Sequence, residues 1–142
     1  MGELTQVTGA CLCGTVKITA DARAAEIGAC HCTMCRTWGG GPFLGVDCGT
    51  TAQITGREHV TTFDSSEWAE RGFCTVCGTH LFYRLKQQDR YIVPAGFFEH
   101  AAAFSMDHQL FIDHKPEWYA FAGETKNMTG QQVFDIFAAQ QT

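Results

Sequence analysis

The sequence contains no long hydrophobic run and no block of like charge. No segment has the length and apolarity of a membrane-spanning helix, and no run of like charges exceeds two residues. The chain has 10 Lys and Arg against 15 Asp and Glu, a formal net charge of −5. Because nucleic acids and anionic membranes select basic surfaces, we expect neither as a partner.

The start of the chain also lacks the features of an export signal. Residues 1–10 contain neither a basic segment nor an apolar core of the kind that directs secretion. We therefore expect the protein in the cytoplasm, where disulfides are rare. Repeats, low-complexity tracts and Pro- or Ser-rich linkers are absent too, so residues 1–142 are predicted to form a single domain. With 45% hydrophobic and 18% charged residues, that domain is expected to be a folded globule.

Short runs of alternating apolar and polar residues, separated by glycine-containing turns, predict a mostly β fold. The pattern favours a sandwich or a partly open barrel. The only predicted helix is at the C-terminus, where Thr129 followed by Gln132 forms a capping-box pattern and Val133, Ile136 and Phe137 share one face. Strands are predicted at residues 15–20, 43–46, 58–63, 80–85, 91–93, 110–112 and 118–121.

Eight cysteines are the most informative feature of the chain. Seven of them form three close groups, namely Cys11 and Cys13, then Cys30, Cys32 and Cys35, then Cys74 and Cys77. Cysteines one or two residues apart are poorly placed for a mutual disulfide, but their sulfurs can reach one ion at about 2.3 Å. These groups therefore predict metal binding. Zinc is the expected ion, with an iron–sulfur centre as the alternative.

Counting the ligands separates two predicted sites. A closed structural zinc site needs four ligands, and only the first and last cysteine pairs together supply four. The middle trio can hold a second zinc but leaves one coordination position open, which is typical of catalytic zinc. In the alternative, Cys48 or His31 occupies that position and both sites are structural. The predicted structural ligands are Cys11, Cys13, Cys74 and Cys77, and the predicted catalytic ligands are Cys30, Cys32 and Cys35.

The motifs CLCG, CHCTMCR and CTVCGTH, followed by PEWYAF, resemble the glutathione-dependent formaldehyde-activating enzyme family, also called the CENP-V/GFA domain family. The resemblance extends from about residue 8 to residue 121. It implies an Mss4-like fold of β-sheets with two zinc ions, the outer four cysteines being structural and the central three catalytic. It also implies a carbon–sulfur lyase that joins glutathione and formaldehyde into S-hydroxymethylglutathione.

The expected chemistry is the addition of a thiol to an aldehyde. We expect a substrate thiol to enter the open position at the cysteine trio, lose its proton and attack the aldehyde carbonyl. A nearby acid then protonates the oxygen. Candidates for that acid are His80, His108, Asp107, Glu99 and His114; other candidates near the substrate are Arg36, Trp38, Gly39, Gly40, Gly41, Phe97 and Phe98.

Two other classes of function fit the sequence. One is a zinc-scaffolded binding module, or a zinc or thiol sensor, without catalysis. The other is thiol redox catalysis such as methionine sulfoxide reduction, in which Cys48 would be the reactive residue. As a free cysteine, Cys48 fits equally well as a small buried apolar residue.

Overall fold

Strands make up most of the regular structure in the computed structural model, which describes residues 4–23, 26–99 and 101–141. The predicted mostly β fold with cysteine knuckles and a short C-terminal helix is confirmed. The strands are β1 (Leu4–Ala10), β2 (Lys17–Arg23), β3 (Glu26–Cys30), β4 (Phe43–Asp47), β5 (Gln53–Thr55), β6 (Val60–Asp64), β7 (Ala69–Cys74), β8 (His80–Leu85), β9 (Arg90–Pro94), β10 (Ser105–Leu110) and β11 (Lys126–Met128). The helices are α1 (Thr33–Gly39) and α2 (Gly130–Gln141).

The chain divides into two compact units, each assembled from separated segments. The first consists of residues 1–26 and 45–105, and the second of residues 27–44 and 106–142. The single-domain assignment of residues 1–142 stays a prediction. No helix among the described residues has the length and apolarity needed to span a membrane.

The first unit contains two antiparallel arrangements of strands. One is a three-stranded sheet in the order β1, β2, β5. In the other, β9, β8, β7 and β6 follow β4 in that order. Alternation explains the burial in β2, because Ile18 and Ala20 are buried while Lys17 is exposed. In the second arrangement Leu81 and Val93 are fully buried.

The second unit contains three strands in the order β11, β10, β3, together with both helices. Strands β10 and β11 are parallel. Strand β3 is linked to the end of β10 by a hydrogen bond of 3.1 Å from the N–H of His31 to the carbonyl oxygen of Leu110. This link places the segment that follows β3, which contains three cysteines, beside β10.

Helix α1 was not predicted from the sequence. It begins after Cys32, whose sulfur accepts a hydrogen bond of 3.4 Å from the Cys35 N–H in place of an oxygen cap. It ends at Gly40, which has a φ of +86° and donates its N–H to the Arg36 carbonyl at 2.7 Å. Seven residues give too short a periodic pattern to identify a helix, and cysteine is not a usual cap. The glycines at 39–41 therefore end this helix.

Two of the predicted strands are wrong. Only Leu110 of the predicted strand 110–112 lies in a strand, because Phe111 adopts a φ of +55° and a turn of 3-10 helix, Ile112–His114, follows. Residues 118–121 form no strand at all. Side-chain hydrogen bonds fix this segment, since Lys115 Nζ donates to the Tyr119 carbonyl at 2.6 Å.

The other predicted strands correspond to observed ones, with shifts at their ends. Strand β8 has the predicted bounds, whereas β2 and β6 begin two residues later than predicted. Strands β1, β3, β5, β7 and β11, and all of β10 except Leu110, were not predicted from the alternation pattern. Short strands and strands buried on both faces show only a weak alternation of apolar and polar residues, which explains why some of these strands were missed.

The capping box of α2 is present as predicted. Thr129 Oγ accepts the Gln132 N–H at 3.2 Å, and Gln132 Oε1 accepts the Thr129 N–H at 2.8 Å. On the helix itself Val133 and Phe137 are half-buried, but Ile136 is 46% exposed. The reciprocal cap therefore compensates for a narrow apolar face.

We predict that Thr129→Ala will weaken α2 by about 1 kcal/mol, because the first turn loses the acceptor for one of its N–H groups. Amide hydrogen exchange in α2 should become faster by a factor of about 5. Thr129→Ser keeps the hydroxyl and is the matched control, with exchange near that of the wild type. Equal exchange in all three proteins would show that the cap does not limit the opening of this helix.

Candidate metal centres

Four cysteine sulfurs from two distant parts of the sequence converge in the first unit. The Sγ atoms of Cys11, Cys13, Cys74 and Cys77 all lie within 4.8 Å of one another. Cys11 and Cys74 are buried and Cys13 is exposed. The structure therefore brings together the four cysteines that ligand counting assigned to one site.

Both cysteine pairs lie on tight turns that a glycine closes, of four residues in the first and five in the second. In the first, the Gly14 N–H donates to the Cys11 carbonyl at 2.9 Å; in the second, the Gly78 N–H donates to the Cys74 carbonyl at 2.8 Å. The glycines have φ angles of +80° and +79°, a region that residues with a side chain rarely adopt. Each glycine therefore closes its turn, and both sulfurs of each pair reach the same cluster.

Two threonines, which sequence analysis did not identify, complete this site. Thr15 Oγ lies 3.1 Å from Cys13 Sγ and 3.6 Å from Cys74 Sγ. Thr79 Oγ accepts the Leu12 N–H at 3.1 Å, which leaves its own hydrogen to donate to Cys77 Sγ at 3.1 Å.

Thr79 therefore joins the two turns and stabilises a negatively charged sulfur. Its hydroxyl and N–H lower the pKa of Cys77 to about 5. A signal for both threonines was present in the sequence, because Cys-Gly-Thr occurs at 13–15 and again at 77–79.

The spacing of the four sulfurs fits a tetrahedral ion. Zinc–sulfur bonds of about 2.3 Å in a tetrahedron place the sulfurs about 3.8 Å apart. The Cys11 to Cys13 distance is 3.6 Å and the Cys13 to Cys74 distance is 3.8 Å. This cluster could therefore hold a metal ion with four thiolate ligands.

The second cluster lies where a strand passes into a helix in the second unit. Cys30 is the last residue of β3, Cys32 caps α1, and Cys35 lies in the first turn of α1. Their Sγ atoms also lie within 4.8 Å of one another. No fourth Cys, His, Asp or Glu among the residues that the structure describes joins this cluster. It could hold a metal ion with three ligands from the protein.

The close approach of the three thiols makes it harder for them to lose their protons. Hydrogen bonding with Cys32 and Cys35, together with burial, raises the pKa of Cys30 far above its ordinary value. Three adjacent thiolates repel one another, so the fully deprotonated cluster needs a cation. The donor set itself therefore favours a thiophilic divalent metal such as zinc.

His31 does not act as a ligand to this cluster. Its imidazole is completely buried and both ring nitrogens have other partners: Nδ1 lies 2.7 Å from Tyr119 Oη, and Nε2 lies 2.8 Å from Gln109 Oε1. Burial lowers the pKa of His31, which keeps the ring neutral at pH 7. The alternative in which His31 completes the metal site is therefore not supported by the geometry.

Cys48 belongs to neither cluster. Its side chain is 1% exposed and its thiol lies 3.6 Å from the Val46 carbonyl oxygen. Burial and the nearby carboxylates of Asp47 and Asp21 raise the pKa of Cys48 to about 12. A thiol that ionises so weakly is unsuited to redox catalysis, and the buried apolar role fits better.

Three of the proposed proton donors lie in the second unit, which also contains the three-cysteine cluster. His108 Nδ1 lies 3.0 Å from Asp107 Oδ2. The His108 ring covers Gly28, where a Cβ atom would lie 2.1 Å from Nε2. The side chain of His114 is 42% exposed. Their catalytic role stays a prediction.

The remaining candidates have structural contacts. His80 and Glu99 lie in the first unit, where burial and the charge of Arg71 lower the pKa of His80. Phe98 is 3% exposed and its ring meets that of Phe97 edge to face, as expected for core packing.

Two further candidates lie on α1. Arg36 Nε donates to the His31 carbonyl oxygen at 3.0 Å. The ring centroids of Trp38 and Phe43 are 5.8 Å apart. Contact of Arg36 or Trp38 with a substrate stays a prediction.

Comparisons with known proteins identify relatives of this chain. The family model described as glutathione-dependent formaldehyde-activating enzyme matches residues 6–114, which include all seven clustered cysteines. An uncharacterised lyase of Schizosaccharomyces pombe is 32% identical over 131 residues, which cover 92% of this chain and 96% of the relative. A crystal structure of a Rhodobacter sphaeroides protein covers 70% of this chain and 97% of its own, with a TM-score of 0.57 and 21% identity, and is similar in fold.

This chain belongs to the glutathione-dependent formaldehyde-activating enzyme family. The family and the lyase-named relative together support an activity of the lyase class.

We predict that Thr79→Val will weaken metal binding at the four-cysteine site by about tenfold, because one sulfur loses its hydroxyl donor. Competition with a chromogenic chelator measures this affinity. Thr62→Val replaces an exposed threonine of β6 with the same side chain and is the control, for which no change is expected. Unchanged affinity in both variants would mean that the Thr79 hydroxyl contributes nothing to metal binding.

Proposed function

We propose that this protein is a zinc-dependent carbon–sulfur lyase that adds a small thiol, such as glutathione, to a small aldehyde, such as formaldehyde. The observation that supports this proposal most directly is the difference between the two clusters. One contains four cysteine sulfurs and the other contains three, within one chain. A site with four protein ligands is saturated, whereas a site with three accepts a further ligand.

In this proposal Cys11, Cys13, Cys74 and Cys77 hold a structural zinc ion. These four residues connect the turn between β1 and β2 with the turn between β7 and β8. Binding at such a site contributes directly to folding, because the unfolded chain has no preformed arrangement of the ligands.

Cys30, Cys32 and Cys35 hold the catalytic ion in this proposal. Zinc at this site would act as a Lewis acid that lowers the pKa of a coordinated thiol to below neutral pH. The reaction forms one S–C bond and converts the carbonyl π bond into a C–O single bond. The thiol proton ends on the former carbonyl oxygen. The protein's own task is to hold three sulfurs on one side of the ion and to keep the fourth side open to the thiol.

A non-catalytic zinc scaffold or a zinc and thiol sensor is the second candidate. Exposed apolar side chains at the tips of the four-cysteine turns favour it, because Leu12 is 91% and Val76 60% exposed. Such residues are typical of interaction surfaces. The two candidates differ in whether small thiols bind at the three-cysteine cluster and react there.

We predict that Cys32→Ser will lower the rate of thiol–aldehyde addition to that of the uncatalysed reaction and leave the fold intact. NMR exchange spectroscopy of glutathione with formaldehyde measures the rate, and circular dichroism monitors the fold. Cys74→Ser is the matched variant at the other cluster, and it should lower stability by several kcal/mol because a structural zinc site contributes folding free energy. If Cys32→Ser unfolds while Cys74→Ser remains stable, the two roles are reversed.

We also predict that the two ions differ in lability. A mild chelator should remove one zinc per chain and abolish the addition reaction, because a three-coordinate site exchanges its open position with solvent and competing ligands. Circular dichroism should change little, and one equivalent of zinc should restore the rate. Elemental analysis gives the stoichiometry. Two equally inert ions, or activity that persists after loss of the labile ion, would favour the scaffold.

A further inference from the structure

Within the second unit, His31 combines complete burial with contacts at every polar atom. Its N–H donates to the Leu110 carbonyl, its carbonyl accepts from Arg36 Nε, and both ring nitrogens have partners. A buried imidazole requires such partners, because an unpaired polar atom in the interior destabilises the fold. Its position in the sequence is equally unusual, since it lies between two of the three cysteines.

Backbone geometry connects the direction of the His31 ring with the direction of the two sulfurs. In extended chain, neighbouring side chains point to opposite faces. Where β3 ends, a ring fixed on one side therefore orients Cys30 and Cys32 towards the other side. The sulfurs of these two residues indeed meet that of Cys35.

His31 is also linked to the third cysteine. The Nε atom of Arg36, the residue directly after Cys35, donates to the His31 carbonyl at 3.0 Å. This bond ties the first turn of α1 to the end of β3. All three cysteines are thus adjacent in sequence either to His31 or to a residue bonded to it.

A directed chain of hydrogen bonds holds the ring in one tautomer. The Thr125 hydroxyl donates to Asn127 Oδ1 at 2.6 Å and accepts from Gln109 Nε2 at 2.8 Å. Gln109 therefore presents Oε1 to His31, which must donate from Nε2. A neutral ring protonated at Nε2 accepts at Nδ1, so the Tyr119 hydroxyl donates to it.

We propose that His31 is the positioning residue of the three-cysteine metal site: its buried ring, fixed by Gln109 and Tyr119, sets the backbone that directs the three sulfurs to one ion. This inference rests on the proposed function only in that the cluster binds a metal. Its consequence is that side chains far along the sequence control the affinity of the site.

The test measures zinc affinity at both clusters by chelator competition, with the four-cysteine site as internal reference. His31→Phe keeps the ring volume but removes both nitrogens, and the three-cysteine site should bind zinc about ten- to a hundredfold more weakly. Tyr119→Phe removes only the hydroxyl, so a smaller loss is expected. Affinity at the four-cysteine site should not change in either variant.

His114→Phe is the matched control, because this histidine lies in the same unit and its side chain is 42% exposed. It should bind zinc at both sites as the wild type does. Nitrogen NMR of His31 in the zinc-loaded wild type measures which ring nitrogen carries the proton. A ring that served only for packing would not need one particular tautomer. We expect a neutral ring protonated at Nε2.

Equal affinity in the wild type, His31→Phe and Tyr119→Phe would overturn the inference. If His31→Phe does not fold, the zinc affinity of Tyr119→Phe and the tautomer of His31 test the inference instead. A His31 ring protonated at Nδ1 would contradict the direction of the hydrogen bonds and overturn the inference. A wild-type trio that binds no zinc would refute both this inference and the proposed function. Affinity that depends on His31 in a protein without thiol–aldehyde activity would refute the proposed function alone.

Discussion

Repulsion between crowded sulfur atoms is the constraint on which both candidate sites depend. Two groups of thiols each lie within 4.8 Å, and thiolates so close together are stable only around a cation. The protein supports negative sulfur at the first group with hydroxyl and N–H donors, among them Thr15 and Thr79. A metal bound at these groups would therefore couple the ionisation of the cysteines to the folding of the surrounding turns.

The two clusters differ because different backbone structures supply their sulfurs. Each glycine-closed turn presents two cysteines, and two such turns complete a tetrahedron. The end of β3 and the start of α1 supply three cysteines, with Cys32 occupied also as the cap of the helix. A chain that folds in this way has one site suited to stability and another in which a substrate could become a ligand.

Polar contacts replace regular structure in the segment that contacts His31. The segment that contains Tyr119 forms neither strand nor helix, and it is fixed by the bond to His31 and by Lys115. A buried polar network of this kind is sensitive to substitution, because the loss of one member leaves the hydrogen-bonding groups of the others without partners. It also gives the site a defined geometry that apolar packing alone would not specify.

Local patterns determined much of this protein in advance. The spacing of the cysteines and ligand counting divided seven of them into the two groups whose sulfurs converge in the structure. The capping box placed the start of α2, because it depends on residues close in sequence. Helix α1 is too short for a periodic pattern, and the expected strand at 118–121 is replaced by side-chain bonds. The partners of the His31 ring lie 78 and 88 residues away in the sequence, so only the tertiary structure could bring them together. Sequence therefore determined which atoms could bind a metal, and the folded chain decided how they are held, because orientation depends on hydrogen bonds between residues that no local pattern connects.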